Sequence, residues 1–152
     1  MGPVELILLG RTLMKLGEQA LPASSAPPGG ERNIAIVMAD ISGHARTTVS
    51  EVSRRTGLPQ SAVSTAVARL REAGSVLAQT DPADRRRQLL RRNPKLGRRR
   101  RTAATASIAP VVAAAMDDHE PADLAEVLAA LETLGHWLSP EANARLRGDV
   151  DG

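Results

Sequence analysis

The chain has 152 residues, with no cysteine, phenylalanine or tyrosine and a single tryptophan, Trp137, so disulfides, thiolate metal sites and a cysteine redox switch are excluded and any core must be aliphatic. The length fits one domain, with or without dimerisation helices attached. Formal net charge is only +3, yet ten Lys or Arg and no acid lie between Arg85 and Arg101, whereas nine acids and two Arg lie from Thr102 onward; this asymmetry points to a polyanion as partner of one part of the chain, the plainer alternative being a solvated basic loop.

Residues 3–21 are predicted to form a helix, with Val4, Ile7, Leu8, Met14 and Leu21 near helical spacing and Leu6, Leu9, Leu13 and Leu16 broadening the stripe. A helix apolar on most sides is usually buried between partners. Its apolar start carries Glu5 and no preceding basic residue, unlike a signal peptide. No stretch approaches the roughly 18 apolar residues of a membrane span. A cytoplasmic protein with no membrane partner is the expectation. The breaker-rich Pro22–Gly30 loop follows, then a second helix from about Glu31 to Ser42 with Ile34, Val37, Met38 and Ile41 on one face.

Thr48-Val49-Ser50-Glu51 has the spacing of a capping box, so a short helix should run from there to about Thr56. Gly57-Leu58-Pro59 reads as a turn. Pro59 suits the first position of the next helix, where its missing N–H costs nothing. That helix should reach Ala73, with Val63, Val67 and Leu70 inward and Gly74 just past its end. Ser75 to Thr80 and Gln88 to Arg92 read as a hairpin joined by Asp81–Arg87 and closed by Asn93-Pro94. An Ala-rich helix is expected over Arg98–Asp118, kinked at Pro110. A long helix should start at Pro121, with Leu124, Val127, Leu128, Leu131, Leu134 and Leu138 as its stripe, and a short one at Ser139-Pro140.

Two short helices joined by a tight turn and followed by a hairpin form a winged helix-turn-helix. The fold class is therefore mainly α with a small β-hairpin wing (α+β). It divides into an N-terminal dimerisation and linking segment (1–45), a winged helix-turn-helix (46–93) and C-terminal dimerisation helices (94–152). The major groove admits one α-helix and shows a distinct pattern at each base pair, while the first helix braces the second across the phosphate backbone. Gln60, Ser61, Ser64 and Thr65 lie on the first turns of the reading helix, where Gln pairs with adenine and Ser or Thr with either strand. Small polar residues also fill any solvated helix face. Arg69 and Arg71, further along, suit phosphates. Arg85, Arg86 and Arg87 gather at the wing tip, where an arginine gains from the potential of a narrow minor groove. Asp84 beside them reads as a partner that orients one arginine, or as a surface ion pair of little consequence.

The stretch from Thr47 to Leu90, above all GLPQSAVSTAVARLREAG and the DPADRRR wing, resembles the MarR (multiple antibiotic resistance regulator) family. The resemblance implies a dimeric, sequence-specific transcriptional regulator, repression being the commoner outcome in the family. The partners implied are an obligate homodimer formed by the first and last helices and double-stranded DNA with a near-palindromic operator. Pro59 through Thr65 would enter the major groove, Asp84 would orient a wing arginine, Arg86 would enter the minor groove and Thr48 would lie near phosphates. Two features depart from the family pattern. Pro59 stands where a small polar cap is usual, and Leu90–Gly97, followed by four arginines, replaces the usual Leu-Thr…Gly exit. Many members release DNA when a small aromatic compound binds between the dimer helices and the winged domain, so a small-molecule effector is implied, although this chain has few aromatics to line such a pocket.

No cofactor and no metal are expected. His44, His119 and His136 are widely spaced and lack HxxxH or Cys support for zinc; His44, just before the bracing helix, is a candidate for a ligand contact. An enzyme is disfavoured, because there is no Cys nucleophile, no Gly-rich phosphate loop after a strand and no Ser-His-Asp grouping. A single-strand or RNA binder would need aromatic stacking platforms. A nonspecific architectural DNA protein would share the arginine tract without needing a palindrome. A protein-interaction module could reuse the same winged fold.

Overall fold

The computed structural model describes residues 1–21, 30–95, 107–139, 142 and 145–146. Six helices and one hairpin are placed along these residues: α1 (Pro3–Ala20), α2 (Gly30–Ser42), α3 (Val49–Thr56), α4 (Gln60–Glu72), β1 (Val76–Thr80), β2 (Gln88–Arg92), α5 (Ala109–Ala115) and α6 (Pro121–Trp137).

The core belongs to the middle of the chain. Val37 and Ile41 of α2 meet Val52 of α3, then Val63, Ala66, Val67 and Leu70 of α4, and finally Val76 and Leu90 of the hairpin. Ile34, Met38, Val49, Leu58 and Ala78 pack around them. The α2 face read from the sequence is thus buried against the winged helix, so α2 is part of that core as well as a link from α1. Ile41 is fully buried, and truncating such a residue to alanine typically costs about 2–5 kcal/mol.

Local chemistry sets the ends of the two central helices. Thr48 is the N-cap of α3: its hydroxyl accepts from the Glu51 N–H at 3.3 Å while the Glu51 carboxylate accepts from the Thr48 N–H at 2.9 Å. Gly57 ends α3 at φ 75°, and Ser53 Oγ donates to the Leu58 carbonyl at 2.7 Å, fixing the turn. Pro59 differs by one step from the sequence expectation. It is the N-cap of α4, at φ −55° and ψ 145°, and the helix starts at Gln60. Its extended ψ directs the chain out of the turn before the first helical residue. Gly74, at φ 68°, turns the chain from α4 into β1, in the left-handed region where only glycine pays no Cβ penalty.

The hairpin is antiparallel, in register from Val76↔Arg92 to Thr80↔Gln88. Asn93 closes it: its N–H donates to the Ser75 carbonyl at 2.9 Å and its Nδ2 to the Gly74 carbonyl at 2.7 Å. A bridge that the sequence pattern does not reveal joins Thr47 to Leu90 on the other side of β2.

The Ala-rich region differs from expectation. Ser107 and Ile108 are not helical, α5 ends at Ala115, and Pro110 lies in its first turn. Proline is tolerated there because the first-turn N–H has no helical partner, so Pro110 helps to start the helix and does not kink it. The expected span before Ser107 falls largely outside the described residues. So does most of the short helix expected from Ser139, of which Ala142, Arg145 and Leu146 are helical. Helix α5 packs on both α1 and α6. Arg32 joins α2 to α1 through Glu18 at 2.8 Å. Neither α1 nor α6 has a buried residue. Among the described residues no helix is long and apolar enough to cross a membrane.

Candidate nucleic-acid interface

Helix α4 has two unlike faces. Val63, Ala66, Val67 and Leu70 anchor one in the core, which forces the other outward. Pro59, Gln60, Ser61, Ser64, Thr65 and Arg69 are all exposed on that outer side, with Arg71 beyond them. Thr65 Oγ1 donates to the Ser61 carbonyl at 2.9 Å, which leaves its oxygen free to accept.

The wing tip is a short turn whose shape comes from two aspartates. Asp81 Oδ1 accepts from the Ala83 N–H and Asp84 Oδ1 from the Arg86 N–H, each at 2.9 Å. The Asp84 carbonyl accepts from the Arg87 N–H, also at 2.9 Å. Asp84 therefore meets Arg86 through its backbone; among the described residues no guanidinium is paired with the Asp84 carboxylate. Its effect is to set the turn from which Arg85 and Arg86 project. Both are exposed.

Arg87 behaves differently from its neighbours. Its Nη2 lies 3.5 Å from Glu51 Oε1, so it reaches back from the wing to the bracing helix. Glu51 thereby ties three parts together: it caps α3, accepts from the Thr47 hydroxyl at 3.1 Å and faces Arg87. Thr47 Oγ1 in turn accepts from Arg55 at 2.6 Å, and Arg55 forks onto Asp40 of α2 at 2.9 and 2.6 Å. A polar chain runs from α2 through α3 to the wing. Sequence spacing reveals the cap but not the rest, because Asp40–Arg55 and Glu51–Arg87 are contacts between elements with no local spacing rule. Thr48 is turned inward, 8% exposed, with its hydroxyl committed to the cap. His44 donates from Nδ1 to the Asp40 carbonyl at 2.6 Å, since a carbonyl only accepts.

Beside α4 lies a cleft of about 270 Å³, lined by Asn33 and Ile34 of α2 and by Ser61, Thr65 and Arg69 of α4. Asn33 Oδ1 is buried without a hydrogen-bond partner among the described residues. No group of three or more His, Cys, Asp or Glu among those residues is placed to hold a metal.

The arrangement—an exposed polar helix face braced by α3 and flanked by a basic two-stranded wing—matches a family model. Residues 36–87 match the model of the MarR family. Solved structures of DNA-binding regulators share the fold over most of the chain. The apo form of wild-type MarR from E. coli is 15% identical, with a TM-score of 0.65 over 88% of this chain and 97% of that one. The PcaV transcriptional regulator from Streptomyces coelicolor, solved with its natural ligand, is 21% identical, with a TM-score of 0.53 over 90% of this chain and 93% of that one. BpsR of Bordetella bronchiseptica, whose DNA binding is regulated by 6-hydroxynicotinic acid, is 19% identical, with a TM-score of 0.53 over 84% and 96% of the two chains. No curated protein sequence matches the chain.

Glu51 links the stability of the winged helix to pH. Burial pushes its carboxyl up, but the Thr48 backbone N–H, the Thr47 and Thr48 hydroxyls and the Arg87 guanidinium outweigh that and hold it below the ordinary range. A carboxyl depressed on folding adds stability above its unfolded pKa and loses it as pH falls through the folded one. Glu51→Gln keeps an oxygen for the cap but loses the charge. The wild type should therefore be the more stable of the two at neutral pH, with the gap closing as pH falls through the depressed carboxylate range. Urea unfolding of both proteins across that range checks this, and a gap that persists in strong acid contradicts it.

Proposed function

We propose that the protein is a dimeric transcriptional regulator that binds double-stranded DNA and is not an enzyme. The observation that carries the reading is the paired surface of α4 and the wing. One helix is held by its apolar face so that Gln60, Ser61, Ser64 and Thr65 face outward together, and Arg85 and Arg86, without an acidic partner among the described residues, project from the adjoining hairpin. In this reading Pro59 through Thr65 lie in the major groove, where side chains reach distinct base edges. Arg69 meets a phosphate. Arg86, with Arg85 beside it, enters the minor groove, whose narrow stretches attract arginine. Asp84 sets the turn that aims them. Arg87 contributes through its tie to Glu51, and Thr48 through the α3 N-terminus it caps. Repression is the simpler outcome of such binding.

Dimerisation is supported by what the single chain leaves uncovered. Val4, Ile7 and Leu8 of α1, Leu134 and Trp137 of α6, and Leu138 just after it are exposed at 43% or more. So many large apolar side chains exposed on the terminal helices suit an interaction surface, and a second copy burying the same terminal helices would cover them with two-fold symmetry. A small-molecule effector is a further part of the reading. The cleft between α2 and α4 is lined by reading-helix residues Ser61, Thr65 and Arg69, so an occupant there would compete with or tilt the reading helix.

Duplex binding is tested by anisotropy titration over a salt series. Arg86→Ala should weaken binding and reduce the slope of log K on log salt by about one per bound subunit; an unchanged slope counts against contact between the wing and the DNA backbone or groove. Single-stranded competitor should displace the duplex poorly, given the absence of stacking aromatics. Analytical ultracentrifugation at micromolar concentration should find a dimer. A stable folded monomer there contradicts the assembly.

A further inference from the structure

The outer face of the wing carries a like-charge pair that the fold does not require. Thr47 bridges Leu90 in antiparallel register: the Thr47 N–H donates to the Leu90 carbonyl at 3.0 Å and the Leu90 N–H to the Thr47 carbonyl at 2.6 Å. At Leu90, β2 is therefore paired on both sides, with β1 on one and Thr47 on the other. Thr47 and Leu90 are both buried. Successive side chains alternate between faces, so their neighbours Arg46 and Arg91 emerge on the opposite face. The antiparallel register sets these two arginines side by side. They line one hollow of about 90 Å³, together with Gln79, Pro82 and Leu89. Both are exposed, and neither guanidinium has an acidic partner among the described residues.

Like charges directly opposite on neighbouring strands are destabilising, and any polar neutral side chain would serve this exposed face better. An anion between the two guanidiniums reverses the sign. Each presents a planar fork of donors suited to the oxygens of a phosphate, and the Gln79 amide adds a further donor at the rim. The position is also informative. Arg46 stands just ahead of Thr48, the N-cap of α3, and the bracing helix is the element that crosses the phosphate backbone in helix-turn-helix docking. Arg91 lies on the strand that leads back from the wing tip. The hollow therefore lies between the segment that leads into α3 and the returning strand of the wing, with none of Gln60, Ser61 or Ser64 in its lining.

We propose that Arg46 and Arg91 clamp a single backbone phosphate of DNA on the outer side of the wing. The inference rests on the reading of the chain as a duplex-binding protein and adds a phosphate site outside the reading helix and wing tip. Such a clamp fixes register and adds affinity but carries no sequence information.

The test compares the full-length wild type with Arg46→Gln, Arg91→Gln and the double variant, by duplex titration over a salt series and by thermal melting. With one phosphate per subunit no longer neutralised, the slope of log K on log salt should fall by about 0.9 per bound subunit in the double variant, about 1.8 for a dimer on its site. The ranking of altered DNA sites should not change. The melting midpoint should hold or rise, because a repulsion has been removed. Wild-type binding with an unchanged slope in the double variant overturns the clamp and leaves the duplex-binding reading standing. A wild type that binds no duplex overturns both. A double variant that melts lower overturns the clamp, since the pair would then support the fold. Inorganic phosphate is titrated in a second arm without DNA. Stabilisation of the wild type alone, with no change in the DNA salt slope, assigns the hollow to a free oxyanion and overturns the DNA source.

Discussion

The structure depends on a core without aromatic rings. Aliphatic side chains of modest size, from Val37 and Ile41 through Val52 and Val63 to Leu90, must hold three helices and a hairpin together. Such a core is small, and each buried methyl group counts, because a core packed at native density relaxes only partly around a void. The burial of Val63, Ala66, Val67 and Leu70 also determines which face of α4 is left outside. The candidate reading surface is the complement of the core, set by the same helical period.

Polar contacts refine what the core positions. The chain from Asp40 through Arg55 and Thr47 to Glu51 and Arg87 crosses from α2 to the wing with fixed hydrogen-bond geometry. Its inner members are well shielded: Thr47 is 1% exposed and the Asp40 side chain 8%. Breaking a shielded pair by removing one partner is costly because it strands the other charge. The Glu51–Arg87 end is more exposed, and a pair of that kind contributes little on its own. The wing is accordingly firm at its base, where Thr47, Leu90 and Asn93 lock the strands, and lightly tethered at its tip.

The sequence is most legible where local chemistry decides. The Thr48–Glu51 cap, the glycines at 57 and 74, the hairpin and the inward residues of α4 follow from spacing and turn preferences acting within a few residues. Pro59 stands one position away from its expected place because proline fits both a cap and a first helical turn. Pro110 starts a helix where a kink was expected, because an Ala-rich run gives no sign of where a helix begins. The Thr47–Leu90 bridge, the Arg55–Asp40 fork and the pairing of Arg46 with Arg91 are invisible in the sequence, since each joins residues on different elements. The family resemblance, read over Thr47–Leu90, overlaps most of the stretch that the family model matches, residues 36–87.

Helices α1 and α6 give the account its wider consequence. Their uncovered apolar faces invite a second copy, and two copies would present two α4 helices and two wings with two-fold symmetry. Selection of bound sequences from a random duplex pool tests this most directly. The account predicts an enriched near-palindrome whose half-sites are centred about one helical turn, roughly 10 base pairs, apart. Binding that enriches no palindrome, with affinity set by salt alone, would contradict it and favour an architectural DNA protein.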